Sequence, residues 1–167
     1  MDSVVYECEN LAQEDVAFLE KLQGDLGILA DLSRADVLVY CRLTAERAVA
    51  VLQASPHSIL PLHSETQLEK QVSSTDEPAV LRALVEGQPT VMEVRRRSSN
   101  RTSPDKGAPV VQETYPERSS DGRVIAAVCI ETNLIERERH QRRSKVFQRA
   151  LRQFQESVLT GALEGTE

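Results

Sequence analysis

The residues of this chain with chemistry to offer are three histidines, three cysteines and a run of arginines. His57 and His63 flank Pro61, with Glu65 close behind. A metal site needs three or four ligands at fixed geometry, and nothing else of that type clusters there. They read as polar loop residues, with a pocket-facing role for one of them as the functional alternative. His140 stands in ERERHQRR, where a helix is expected. A helical histidine is what a phosphoacceptor requires, but its flanks lack the adjacent acid of a phosphoacceptor box, so an exposed helical histidine is expected. Cys41 and Cys129 sit inside apolar runs, where a buried, inert thiol is the default, and Cys8 lies near the N-terminus. An odd number of cysteines without CxxC spacing implies neither a disulfide framework nor a zinc site. Arg95-Arg96-Arg97, with Arg101 and Lys106, makes a basic patch at the end of a strand and in the loop after it. Solvated charge is its plain reading; contact with an anionic ligand or with nucleic acid is the functional one.

No glycine-rich phosphate loop is present: seven glycines occur, none in GxGxxG or GxxxxGK spacing. The net charge of −6 discourages polyanion binding, and six aromatics without tryptophan argue against a base-stacking surface or an aromatic-lined haem or flavin site. At 167 residues, 40% hydrophobic and 28% charged, the chain has the profile of one soluble domain with a real core. The start MDSVVYECEN lacks the basic and apolar regions of a signal peptide, and no apolar run approaches the roughly 18 residues of a membrane span. The cytoplasm is the expected compartment.

The elements that position these groups follow from periodicity. Residues 1–13 read as a loosely held arm, 14–160 as the domain, and 161–167 as a tail or the start of a linker. A helix is expected from Glu14 to Leu32, with Leu19, Leu22, Leu26 and Leu29 on one seam. That seam fits either a helix packed on a core or a self-associating one. Gly24 and Gly27 weaken the helix and would permit close approach. Asp36–Leu43 and Ala48–Ser55 read as a hairpin, apolar nearly throughout, so both faces of its sheet should be covered. His63–Pro78 reads as mostly loop. Thr75, Asp76 and Glu77 supply helix-start chemistry for a short helix from Ala79 to Gly87. Thr90–Arg97 is a third strand, and Ser98–Gly107 a polar loop. Ala108–Ser119 and Arg123–Thr132 flank Ser120-Asp121-Gly122, a strong hairpin signal because glycine accepts a positive φ. The chain then runs through a charged neck into a last helix, Leu134–Leu159. There Phe147, Leu151, Phe154 and Val158 form a short apolar seam, which reads as self-associating. Strands grouped between terminal helices indicate an antiparallel sheet in an α+β domain.

This order resembles a GAF domain, the sensory relative of PAS. Four strings are similar to the N-terminal GAF domain of bacterial sensor histidine kinases: Ile28–Tyr40, Glu77–Pro89, Glu113–Leu134 and Arg142–Phe154. The resemblance implies a GAF-like antiparallel sheet of five to six strands with N- and C-terminal helices packed on one face. It also implies a homodimer through those helices, and PAS and kinase domains downstream in the parent protein. The other face, under the irregular segment, would hold any small-molecule ligand. Tyr40, Arg42, His57, His63, Arg95 and Tyr115 are the polar or amphipathic residues near that place. No cofactor is required. The expected function is non-catalytic sensing in a cytosolic two-component histidine kinase. The alternatives are a GAF-fold thiol-dependent reductase, whose loop cysteines Cys8, Cys41 and Cys129 do not resemble in placement, and a nucleic-acid-binding adaptor using Arg95–Arg97.

Overall fold

The computed structural model describes residues 3–96, 107–143 and 145–159, apart from the side chains of residues 140–148 and 157–159. After a 3-10 turn at Ser3–Glu7 come α1 (Gln13–Ser33), β1 (Asp36–Thr44), β2 (Arg47–Ala54) and β3 (Gln71–Ser73). Then follow α2 (Pro78–Glu86), β4 (Thr90–Arg96), β5 (Ala108–Arg118), β6 (Val124–Asn133), α3 (Leu134–Arg143) and α4 (Lys145–Leu159). The strands form one antiparallel sheet in the order β3-β2-β1-β6-β5-β4. The short strand β3 falls where loop is expected. Its three residues pair only with β2, at the edge, so no apolar pattern announces it.

Alternation divides the strand residues between two cores. Val37, Val39 and Cys41 of β1 and Val128 and Ile130 of β6 face the first core, with Leu19, Leu22, Leu26 and Leu29 of α1. Those leucines are fully buried within their own chain, each worth about 1.5–3 kcal/mol of burial. The seam of α1 is therefore spent on the sheet, and self-association through α1 would have to use its other face. Phe154 of α4 packs against the same core, and Gln155 donates to Ser33 Oγ at 2.7 Å, so α4 lies along α1. Leu151 is half-buried; the side chains of Phe147 and Val158 lie outside the described residues. Leu38 and Tyr40 of β1 and Ala127 and Cys129 of β6 face the second core, closed by Val80, Leu81, Ala83 and Leu84 of α2.

The ends of these elements explain their lengths. The Ala12 N–H is held by Asp15 Oδ2 at 2.8 Å, and α1 stops where Arg34 turns left-handed and donates to the carbonyls of Ala30 and Asp31. Gly24 and Gly27 face open space rather than a close neighbour, so close approach does not explain them within this chain. Gly87 caps α2 at φ 65°, and an added Cβ would lie 2.3 Å from Arg118 Nη2. The β5–β6 hairpin closes as expected: Gly122 N–H reaches Ser119 O at 3.0 Å, and Gly122 takes φ 88°. From Ser3 on, the arm packs on the domain. Val5 is buried, Glu9 N–H bonds Arg42 O at 2.8 Å, and Asn10 O accepts from Arg123 Nη1 at 2.5 Å.

Candidate functional site

On the α2 side of the sheet, where the second apolar core gives out, five polar side chains meet. Cys129 of β6 belongs to that core, and period two puts Glu131 on the same face, fully buried. Gln112 of β5 stands opposite Glu131 in register and is equally buried. Alternation along the edge strand β4 turns Arg95 outward and Arg96 inward. Glu77 comes from the start of α2, and His63 from the segment between β2 and β3.

The arrangement is a hydrogen-bonded network around one guanidinium. Arg96 Nε donates to Glu131 Oε1 at 3.0 Å, and its Nη2 bonds the same oxygen. Arg96 Nη1 lies 2.6 Å from Glu77 Oε1, and Nη2 lies 3.0 Å from Glu77 Oε2. Gln112 Nε2 bridges the two carboxylates, at 2.8 Å to Glu77 Oε2 and 3.0 Å to Glu131 Oε1. His63 Nε2 sits 2.6 Å from Glu131 Oε2. Gln112 Oε1 is buried and has no hydrogen-bond partner among the described residues. Burial alone would raise the Glu131 carboxyl, but the His63 hydrogen bond and the Arg96 charge hold it at about 2. Arg96 is correspondingly locked in its charged form: burial opposes the charge, and Glu77 and Glu131 override it. Nearby, Asp36 anchors the covering segment, accepting from Ser55 Oγ and the Leu62 N–H at 2.6 Å each. Burial raises its carboxyl above the ordinary range.

Of the six pocket candidates, two lie near this network. His63 is part of it, and Tyr40 is buried in the adjoining core, its phenol raised by burial. The others are elsewhere. Arg42 pairs with Glu9 of the arm at 3.4 Å, and His57 is exposed with Nδ1 3.0 Å from Asp31 of α1. Arg95 is exposed and donates to Gly107 O at 3.3 Å. Tyr115 packs against the helix-covered core on the opposite face. The basic patch thus loses its middle member to the interior, while Arg97, Arg101 and Lys106 lie outside the described residues. Glu131 and Gln112 are absent from the sequence-derived candidates, and Arg96 entered them only as part of the basic patch. A signal existed for Glu131, the charge that closes an apolar strand two residues after Cys129. Glu77 stands at the N-cap of α2 but makes no side-chain cap, since its carboxylate turns to Arg96 and Gln112.

His57 and His63 are held by different partners, and among the described residues no cluster of three or more His, Cys, Asp or Glu is arranged for a metal. Cys8 packs against the core that contains Cys41 and donates to Val4 O at 3.6 Å; the proximity of the two thiols lowers Cys8 and raises Cys41. Burial pushes the Cys129 thiol well up. No helix among the described residues is long and apolar enough to cross a membrane.

The sheet order, the two terminal helices on one face and the short helix with its covering segment on the other define a GAF-like α+β domain. The chain belongs to the family described as the GAF domain of the histidine kinase PdtaS, whose model matches residues 1–150. The family gives the domain a sensory role. Among solved structures, the sensor region of a sensor histidine kinase is similar with a TM-score of 0.66 and 20% identity. That likeness covers 98% of this chain and 52% of the other, so this chain spans about half that region's length. A putative IclR transcriptional regulator from a Silicibacter species shares the fold at a TM-score of 0.56 and 12% identity, covering 90% of this chain and 68% of the other. No curated protein matches the chain in sequence.

Proposed function

We propose that this domain is the non-catalytic input module of a cytosolic histidine kinase whose PAS and catalytic domains lie downstream in the parent protein. A ligand or partner received on the α2 face changes the packing of α3 and α4, and a homodimer formed through the terminal helices passes that change on. The observation that carries this reading is the placement of Glu131. It anchors the buried network three residues before Leu134, where β6 becomes α3 with no loop between. A group received at Glu131 therefore acts on the strand that aims the output helix.

Association is measured directly by sedimentation equilibrium at micromolar concentration. A dimer is expected for the native chain and a monomer for Phe147→Asp combined with Val158→Asp. Phe154 is left intact because it packs on its own core. A monomeric native chain would remove the dimer from the proposal.

A further inference from the structure

We propose that Glu77, Glu131 and Gln112 form a receptor for a small planar cation of the guanidinium or amidinium class, and that Arg96 is its internal occupant. The inference rests on the reading of the α2 face as the sensory face and names the chemistry received there.

The three receptor side chains are fixed. Glu131 and Gln112 stand on β6 and β5, inside the sheet, and Glu77 is buried at the start of α2. Arg96 differs from them in place. It is the last residue of β4, the edge strand, whose outer side pairs with no strand among the described residues. Its side chain is 20% exposed, where that of Glu131 is 0% exposed. The acceptors are built in, and the donor reaches them from the rim.

The lining selects the ligand. Two carboxylates surround one guanidinium, so withdrawal of Arg96 leaves an anionic recess that rejects anions. The four carboxylate oxygens, three of them already bonded by Arg96, suit a planar fork of N–H donors better than a spherical ammonium. Gln112 adds the independent observation. Its Nε2 must face the carboxylates, because reversing the amide would set Oε1 against two negative oxygens. Oε1 is thereby left buried without a donor among the described residues. Arg96, tethered to β4, spends four of its five N–H groups on the carboxylates and brings none to Oε1, whereas an untethered guanidinium can turn its fifth toward that acceptor.

Agmatine and methylguanidinium are the probes, with butylammonium and urea as controls for charge without planarity and planarity without charge. Calorimetric titration of the whole chain is expected to show saturable binding of both probes and of neither control. Because an internal occupant divides the apparent affinity by the fraction withdrawn, Arg96→Gln is expected to bind agmatine at least about tenfold more tightly than the native chain. Glu131→Gln is expected to abolish binding in either background. Native chain and folded Arg96→Gln both failing to bind agmatine at about 10 mM would overturn the proposal. Should Arg96→Gln not fold, the native chain decides. The Gln112 side-chain amide resonances must move on agmatine titration, and unmoved resonances overturn the proposal equally. The sedimentation result is unaffected by either outcome, so ligand class and helix association fail separately.

Discussion

Glu117 measures what the helix-covered face charges for an ionised group. It stands opposite Ala126 in register, beside Tyr115 and Val128 on that face, and is buried. Among the described residues its carboxyl has no hydrogen-bond or ion-pair partner. Burial pushes it up to about 8, from an ordinary value of 4.5. A folded-state value above the unfolded one means that the folded chain holds the proton more tightly. Stability linked to this group is complete below pH 4.5, falls as pH rises, and levels off above about 8. At about 1.4 kcal/mol per pH unit, that interval is worth at most about 5 kcal/mol. Water reaching the strand end and local relaxation reduce the expectation to about 2 kcal/mol. Glu117→Gln keeps the shape and removes the titration. Urea unfolding of both proteins from about pH 5 to about pH 9 isolates the effect, since other groups cancel in the difference. The variant should gain on the native chain by about 2 kcal/mol across that range, with unchanged m-values. A difference independent of pH would refute the assignment of Glu117 as a buried, unpartnered acid.

Four further outcomes follow from the geometry. Arg96→Met leaves Glu77 and Glu131 buried without their cation and should cost about 3–5 kcal/mol in urea unfolding, part of it recovered when Glu131→Gln is added. Glu131 itself, held at about 2, contributes stability that is present above pH 4.5 and lost as pH falls toward 2, which acid unfolding of native and Glu131→Gln chains would register. Gly87→Ala puts a side chain at φ 65° and against Arg118, so its Tm should fall by several degrees, equivalent to about 1–3 kcal/mol. A thiol reagent should modify Cys8 first, with Cys41 and Cys129 reacting only on unfolding; a rapid reaction that survives Cys8→Ser would contradict their burial.

The fold was legible because its signals are local. The leucine spacing of α1, the Asp121-Gly122 turn, Pro78 and Gly87 around α2, and the sheet-to-helix junction at Asn133 and Leu134 each depend on a few neighbouring residues. The site was not, because its members come from four separate elements and the covering segment. In β1 and β6, and along most of β5, both faces are buried or half-buried, so hydrophobic alternation is erased and the strands read alike on either side. Tyr40 and Tyr115 therefore looked equivalent, although one faces α2 and the other faces the terminal helices. The arginine run shows the same limit. Three consecutive arginines read as one surface patch, yet a strand's period of two sends Arg95 and Arg96 in opposite directions. The inward one is stable because Glu77 and Glu131 meet it on that face.

The same strand resolves how the two faces are joined. β6 contributes Val128 and Ile130 to the core beneath α1 and Cys129 and Glu131 to the side beneath α2, in alternation. A displacement of Glu131 cannot be absorbed by side-chain rotation alone, because Arg96, Gln112 and His63 hold both carboxylate oxygens. The backbone must share it, and two residues later Asn133 Oδ1 accepts the Ile135 N–H at 2.9 Å, at the first turn of α3. From there Glu136 bonds Arg34, the residue that ends α1, and Arg137 pairs with Glu113 of β5. The start of α3 is thus tied to the end of α1 and to the neighbouring strand by ion pairs that are partly exposed, each worth no more than about 1 kcal/mol. Stiff coupling at Glu131 followed by weak, breakable ties at Glu136 and Arg137 is the combination a relay requires. In the proposed relay the strand would move as a unit, and the helix it aims would change partners at small cost.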